Sequence, residues 1–249
     1  MDSTDALGSI RALVSDVYVN LKLSLRLDLP KSRETVPDFF DRVRRRYPQM
    51  DSLKKYRDEL ALETGGSEAP YRWLAVRSRS VRSGVVNPDA YASAHELHEH
   101  VLEGAPYFLS ISPLDIESVE VLFGLDLLAS TCHDEIVYNA LLADTALASL
   151  IGSDDSVTDC QPVLGWKLGL GGKLEAQSEI KTRLHGQPRS DGQAEPLSVY
   201  LTMRRQGPVT ELDELGEVYR TLASRGEELV EDRVMPALVE PIRAAILSA

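Results

Sequence analysis

The chain has 249 residues, of which 43% are hydrophobic and 27% are charged, a balance typical of a folded globular protein rather than a disordered one. Its 27 basic and 39 acidic side chains give a formal net charge of −12, which argues against general binding to nucleic acid or to an anionic membrane. The sequence has no secretory signal, no apolar stretch long enough for a membrane span and too few cysteines, at 2, for a disulfide scaffold. We therefore expect a cytoplasmic protein with both thiols free.

The first predicted element is a strand at residues 17–29, where VYVNLKLSLRLDL places apolar residues at every odd position. Strict alternation over that length is typical of a half-buried β-strand with one face in the core and the other in water. A helix follows at residues 35–47. Thr35 and Asp38 form a capping pair there, and apolar residues recur at helical spacing until Pro48.

Two further strands and a helix complete the predicted first half. The strands are expected at residues 53–63 and 71–82, joined as a hairpin across a Gly-Gly pair at 65–66. The helix is expected at residues 87–104, because an Asn-Pro pair suits its beginning and a glycine suits its end.

The second half nearly repeats this order. It is predicted to hold a strand, one or two helices and three more strands, at residues 116–129, 132–151, 160–170, 173–184 and 197–206. A glycine-rich turn at 169–172 and a polar loop at 185–196 separate the last strands. A long amphipathic helix then begins at Thr210, and Pro236 and Pro241 are expected to break or kink it.

This order predicts an α+β fold made of two related halves, residues 1–109 and 110–249. Each half has the order β-α-β-β-(β)-α, which suggests an internal duplication at the level of topology. We expect antiparallel strands that form one curved sheet or two abutting sheets, with the helices packed on one side.

Three segments carry a family resemblance, namely RSGVVNP at 82–88, YFLSISPLDIESVEVLFGLDL at 107–127 and EPLSVYLTMRR at 195–205. Within this order of elements, the chain resembles a sporadically distributed family of uncharacterised bacterial proteins with an amino-terminal alternating strand and a carboxy-terminal long helix. The resemblance spans most of the chain. It implies a bacterial cytoplasmic protein, and no catalytic or binding residue carries over from it.

The polar face of the first strands is the main candidate binding surface. Residues 69–88 contain four arginines and no acid, in a chain that is acidic elsewhere. If the strands are neighbours, their wet faces form a basic surface with one tryptophan, suited to an anionic partner. The seven candidate residues are Lys22, Arg26, Lys55, Arg57, Trp73, Arg77 and Arg79. The alternative is an ordinary solvated face, on which Asp28, Glu59 and Glu63 pair with the cations.

The sequence HELHEH at 95–100 raises the question of a metal site. His95 and His98 lie about 60° apart on a helix, whereas His100 points nearly opposite His98. The zinc-protease spacing is absent. A partly buried core histidine, His98, with two solvated neighbours is the favoured interpretation. A metal site formed by His95, His98 and Glu99 is the alternative, and we predict neither a metal nor a cofactor.

The run Thr131-Cys132-His133-Asp134-Glu135 contains a nucleophile, a base and two acids. Neighbouring residues on a helix diverge, whereas catalytic groups must converge. A helix cap followed by a polar first turn is therefore the favoured interpretation, although a helix amino terminus can lower the pKa of a thiol such as Cys132. Cys160 is expected to be a small core residue.

These observations favour a non-enzymatic interaction or ligand-binding module that uses the basic sheet face or the groove between the halves. We expect a protein partner or a small anionic ligand, and no nucleic acid or membrane. The alternative is a hydrolase or metal-dependent enzyme built around His98 or Cys132. Convergence of these groups with carboxylates in a cleft would favour the enzyme, and their dispersal would favour binding.

Overall fold

A computed structural model describes residues 3–29, 35–66, 69–169, 173–183 and 193–248, without the side chains of residues 3–6. The strands are β1 (Asp16–Leu25), β2 (Ser52–Lys55), β3 (Glu59–Glu63), β4 (Tyr71–Arg77), β5 (Ser80–Val86), β6 (Ile116–Ala129), β7 (Val163–Lys167), β8 (Leu174–Lys181) and β9 (Glu195–Gln206). The helices are α1 (Ser3–Arg11), α2 (Thr35–Arg46), α3 (Tyr91–Phe108), α4 (His133–Leu141), α5 (Glu214–Leu229) and α6 (Glu240–Ser248), with a π-helix (Val230–Val239) between α5 and α6. Within these ranges no helix has the length and apolar character needed to cross a membrane.

The strands form one antiparallel sheet in the order β2-β3-β4-β5-β1-β6-β9-β8-β7. The α+β class is therefore confirmed, and the strands belong to one continuous sheet rather than to two abutting ones. The junction between the halves is the long pairing of β1 with β6, in which Val19 lies opposite Phe123.

Both halves arrange their strands in the same way. The first strand of each half, β1 or β6, lies at the centre of the sheet. The chain then passes to an outer edge, β2 or β7, and returns strand by strand to pair with its own first strand. This shared order is a property of the topology, and an ancestral duplication stays a prediction.

The helices cover one face of the sheet. The odd residues of β1, such as Val19 and Leu21, are fully buried beneath them. His98 of α3 contacts the carbonyl of Val19, and Gly226 of α5 lies against the ring of Phe123. We call this the helix-covered face. The opposite, open face carries the even residues of β1, and one continuous apolar core beneath the helices spans both halves.

The predicted strands of the first half were too long. Residues 53–63 fold as the hairpin β2–β3 with its turn at 56–58, and residues 71–82 are divided between β4 and β5 by a turn at 78–79. Neither turn contains glycine or proline, and Asp58 and Ser78 are weaker turn signals. Strand β1 ends at Leu25, where its register with β6 shifts.

The helix boundaries also differ from the prediction. Asn87 has φ +51° and does not cap α3; its side chain accepts a hydrogen bond from the N–H of Val17. Helix α3 continues past Gly104, which packs closely on Phe39. Pro236 lies inside the continuous π-helix instead of ending a helix. Helix α1 was not predicted, and most of the turn at 169–172 and of the loop at 185–196 lies outside the described residues.

Candidate functional site

The seven residues of the predicted basic face are dispersed. Lys22, Trp73 and Arg77 lie on the open face. The other four depart from the prediction, because Lys55 pairs with Leu60 and so lies on the helix-covered side, whereas Arg26, Arg57 and Arg79 lie beyond strand ends. These four residues depart from the prediction because the hairpin turns at 56–58 and 78–79 were not predicted and because β1 ends at Leu25.

Carboxylates neutralise most of the cations on the open face. Glu120 Oε2 lies 3.6 Å from Lys22 Nζ, and its other oxygen lies 2.9 Å from Arg204 Nε. Glu59 accepts hydrogen bonds from Arg77, at 2.6 Å, and from Arg82. Asp28 lies 3.7 Å from Arg79. These cross-strand pairs match the solvated-face alternative, and the binding role of the seven residues stays a prediction.

Two aromatic rings lie against glycines of the open face. A Cβ atom at Gly124 would come within 2.0 Å of the Tyr18 ring, and one at Gly84 within 2.4 Å of the Trp73 ring. Both are directly opposed cross-strand pairs. The guanidinium of Arg82 lies 5.8 Å from the centre of the Trp73 ring. The rings therefore cover backbone that glycine leaves exposed, a stabilising role in the sheet.

The histidines of α3 form no common site. His98 is completely buried, with Nδ1 2.8 Å from Ser83 Oγ and Nε2 3.2 Å from the carbonyl of Val19. His95 instead contacts α5, with Nδ1 2.6 Å from the Tyr219 hydroxyl and Nε2 bound to Glu227. His100 is buried against the ring of Tyr47, so its predicted exposure to solvent was wrong.

No group of three or more His, Cys, Asp or Glu side chains in the described part of the chain is arranged to hold a metal ion. Of the three residues in the alternative metal site, Glu99 pairs with Arg220 at 3.3 Å, and His98 is held by Ser83 and Val19. The three side chains thus have separate partners.

The polar residues 131–135 form the N-cap and first turn of α4. Cys132 is the N-cap residue and is buried. His133 Nδ1 accepts a hydrogen bond from the backbone N–H of Arg183 at 3.2 Å, and Asp134 Oδ1 accepts one from Cys160 N at 3.0 Å. Burial and the nearby carboxylates raise the pKa of the Cys160 thiol. The run therefore links α4 to two neighbouring segments.

An apolar groove of about 480 Å³ lies in the second half of the chain. Leu164 and Trp166 of β7 and Ile180 of β8 form its floor, on the helix-covered side of the sheet. Val234, Ala237 and Leu238 of the π-helix form its wall. We call it the edge groove, because β7 is the last strand of the sheet. The prediction placed a groove between the halves, whereas this one lies within residues 162–238.

Polar groups are sparse in the edge groove. Arg233 stands at its margin, is exposed and forms no ion pair with another described residue. The indole Nε1 of Trp166 is buried and has no hydrogen-bond acceptor. Ser178 is the third polar residue of the lining. The groove thus offers two unused donors at an otherwise apolar surface.

A π-helix forms the wall of the edge groove. The backbone N–H of Glu240 donates to the carbonyl of Met235, five residues earlier, as π geometry requires. A proline in α-helical backbone loses a hydrogen bond and clashes with the carbonyl four residues earlier, so Pro236 favours a wider turn. Because π-helical segments are rare and concentrate at functional sites, this one marks the groove as a candidate site.

No protein-family model matches this chain, and a search of curated proteins finds no match either. The bacterial family resemblance therefore stays a prediction, and the function is argued from the geometry alone.

Proposed function

We propose that this protein is a non-enzymatic binding module whose edge groove holds an elongated apolar ligand with an anionic head, such as a medium-chain carboxylate. The single observation that carries the proposal is the edge groove itself. It is an apolar recess that no described residue fills, with an unpaired guanidinium at its margin.

The size and lining of the groove support a small ligand. Its volume of about 480 Å³ falls within the roughly 300–1,000 Å³ typical of ligand pockets, which are mostly apolar with a few placed polar groups. Leu164 of the groove floor is 66% exposed, so the groove presents apolar surface to solvent. Covering this surface with a hydrocarbon chain is favourable by about 25 cal/mol per Å² of apolar area buried.

The unused donors support an anionic head group. Arg233 can form a bidentate pair with a carboxylate, since guanidinium and carboxylate geometries match. The Trp166 Nε1 atom is a hydrogen-bond donor only and has no acceptor within the protein. A ligand oxygen would supply that acceptor. A ligand with acceptors at one end and an apolar chain therefore fits both parts of the lining.

The dispersal of reactive side chains supports binding over catalysis. The thiol of Cys132 is buried at the start of α4, and His98 is enclosed between α3 and the sheet. His95 has a carboxylate partner, but in the α3–α5 contact rather than in a cavity. These residues are therefore accounted for by packing and hydrogen bonds within the fold.

Trp166 provides a direct test. The chain has 2 tryptophans, so Trp73→Phe leaves Trp166 as the reporter. We expect decanoate to change its fluorescence saturably. In this background, Arg233→Ala should weaken decanoate binding about tenfold, because it removes a charge-assisted hydrogen bond to the carboxylate. The binding of decanol, which has no carboxylate, should not change.

A matched pair of substitutions locates the site. Ala237→Phe fills the groove, whereas Ala244→Phe makes the same change at an exposed position on α6 outside it. Decanoate binding should be lost in the first variant and retained in the second. If both variants bind decanoate equally well, or if neither decanoate nor decanol gives a saturable change, the proposal is wrong.

A further inference from the structure

A second cavity lies between α2 and α3, in the other half of the molecule. Its volume is about 550 Å³. Its lining residues are Asp38, Asp41, Arg42, Arg45, Arg46, His100 and Phe108. We call it the arginine pocket. It shares no residue with the edge groove, so the two binding proposals can be tested independently.

Two buried groups in the arginine pocket lack hydrogen-bond partners. His100 is only 9% exposed, and neither of its ring nitrogens accepts or donates a hydrogen bond, although Glu103 Oε2 lies 4.0 Å from Nδ1. The Nε atom of Arg42 is likewise buried without an acceptor. A neutral imidazole has one N–H donor and Arg42 Nε is a donor only, so both can be satisfied by one acceptor-rich ligand.

The charges around the pocket favour an anion. Arg45 and Arg46 are exposed and form no ion pair with other described residues. Of the nearby acids, Asp41 is bound by Arg44 at 2.9 Å, Glu103 lies 3.9 Å from Arg42, and Asp38 lines the pocket as an exposed side chain. The side chain of Arg46 contacts the Tyr47 hydroxyl, and neither Arg45 nor Arg46 is neutralised by a carboxylate of another described residue, so both charges are available to a ligand.

The lowered pKa of His100 also indicates a positive potential in the pocket. Burial, with the positive charges of Arg42 and Arg46, lowers the pKa of His100, and Glu103 and the backbone of Arg42 oppose this shift only in part. The imidazole therefore lies in a positive potential, which an incoming anion would relieve.

We propose that the arginine pocket binds the phosphate group of a phosphate monoester. Guanidinium groups bind phosphate oxygens bidentately, and three arginines line this pocket together with His100. A dianion with three terminal oxygens has enough acceptors for Arg42, His100 and the two exposed arginines. The cavity is larger than a phosphate group, and Phe108 supplies an apolar wall for the organic part of the ester.

Calorimetric titration of the full chain with phenyl phosphate tests the proposal. The double variant Arg45→Glu/Arg46→Glu should bind phenyl phosphate at least about tenfold more weakly than the wild type. The control variant Lys167→Glu/Lys173→Glu makes the same charge change at exposed basic residues outside the pocket, and its affinity should differ from that of the wild type by less than about twofold, the effect of distant charge in salt.

A second measurement reports on His100 itself. Saturating phenyl phosphate should raise the pKa of His100, followed by NMR, because the dianion offsets Arg42 and Arg46. Three results would overturn the proposal. These are no saturable binding of phenyl phosphate, an equal loss in both double variants, and binding of benzoate as tightly as phenyl phosphate, which would indicate a carboxylate site.

Discussion

His98 shows how one buried residue couples the stability of this fold to pH. Its ring lies between α3 and the sheet, held by Ser83 Oγ and the carbonyl of Val19. Burial, helped by the nearby His95, lowers the pKa of His98 to about 3. The imidazole is therefore neutral in the folded protein over the whole range in which an ordinary histidine takes up a proton.

The sign of the pH effect follows from this shift. The unfolded chain binds a proton at His98 near pH 6.5, whereas the folded chain does so only near pH 3. This contribution to stability is fully present above pH 6.5, and it is lost at about 1.4 kcal/mol per pH unit as the pH falls towards 3. We expect the unfolding free energy of His98→Leu to depend less steeply on pH between pH 7 and pH 4. The decrease in this acid slope should correspond to about one fewer proton taken up on unfolding, measured by urea denaturation across that range.

Ser83→Ala is the control for this prediction. It removes the hydrogen bond to His98 but keeps the imidazole, so the protein should lose about 1 kcal/mol at pH 7 with the acid slope retained. An acid slope in His98→Leu equal to that of the wild type would contradict the prediction.

The placement of His98 was partly predictable from the sequence. Its position within an apolar arc of α3 indicated a core histidine, and its burial is confirmed. Its partners could not be predicted, because Ser83 and Val19 reach it only through the adjacency of β5 and β1 beneath α3. The same limit explains the wrong prediction for His100, whose surroundings come from α2 rather than from its own helix.

Among the strands, β6 depends on the absence of a side chain at Gly124. The Tyr18 ring occupies the position of the missing Cβ and is fixed there by a 3.1 Å hydrogen bond from its hydroxyl to Asp126 and by edge contact with Tyr200. Gly165 of β7 differs, since the nearest atom to its Cβ position is a backbone oxygen at 3.9 Å.

These two glycines form a matched pair for a stability measurement. Gly124→Ala should destabilise the protein by about 1–3 kcal/mol, because the Tyr18 ring must move and break its contacts. Gly165→Ala should be neutral or stabilising by about 0.5–1 kcal/mol, since alanine costs less conformational entropy than glycine. Chemical denaturation compares them, and equal effects of the two substitutions would refute the role given to Tyr18.

Local signals predicted the elements better than their ends and neighbours. The alternation of β1 predicted a strand from thirteen residues, and the observed strand covers Asp16–Leu25. The turns at 56–58 and 78–79 were not predicted, because they contain neither glycine nor proline. Several residues of the predicted basic face were therefore assigned to the wrong side or to the wrong strand. The edge groove depends on β7 being outermost and on a π-helix beside it; Pro236 indicated a disturbance of the last helix, but strand order and the π geometry could not be predicted from local sequence.

The two halves are joined by strand pairing, by a shared core and by contacts between their helices. Strands β1 and β6 pair along nearly their whole shared length, and the core beneath them is one cluster drawn from both halves. On the helical layer, His95 of α3 contacts Tyr219 and Glu227 of α5, so the helices of the two halves are also linked. Separation would expose β1, β6 and the fully buried side chains between them.

Cooperative unfolding is therefore expected, and the tryptophans can test it because Trp73 lies in β4 and Trp166 in β7, near opposite edges of the sheet. In Trp166→Phe, the fluorescence of Trp73 follows the first half, and in Trp73→Phe that of Trp166 follows the second. Within each variant, the urea midpoint by fluorescence should coincide with the midpoint by far-UV circular dichroism, since coincident probes indicate one transition. A fluorescence transition that clearly precedes the dichroism transition in either variant would mean that residues 1–109 and 110–249 unfold as separate domains, despite the pairing of β1 with β6.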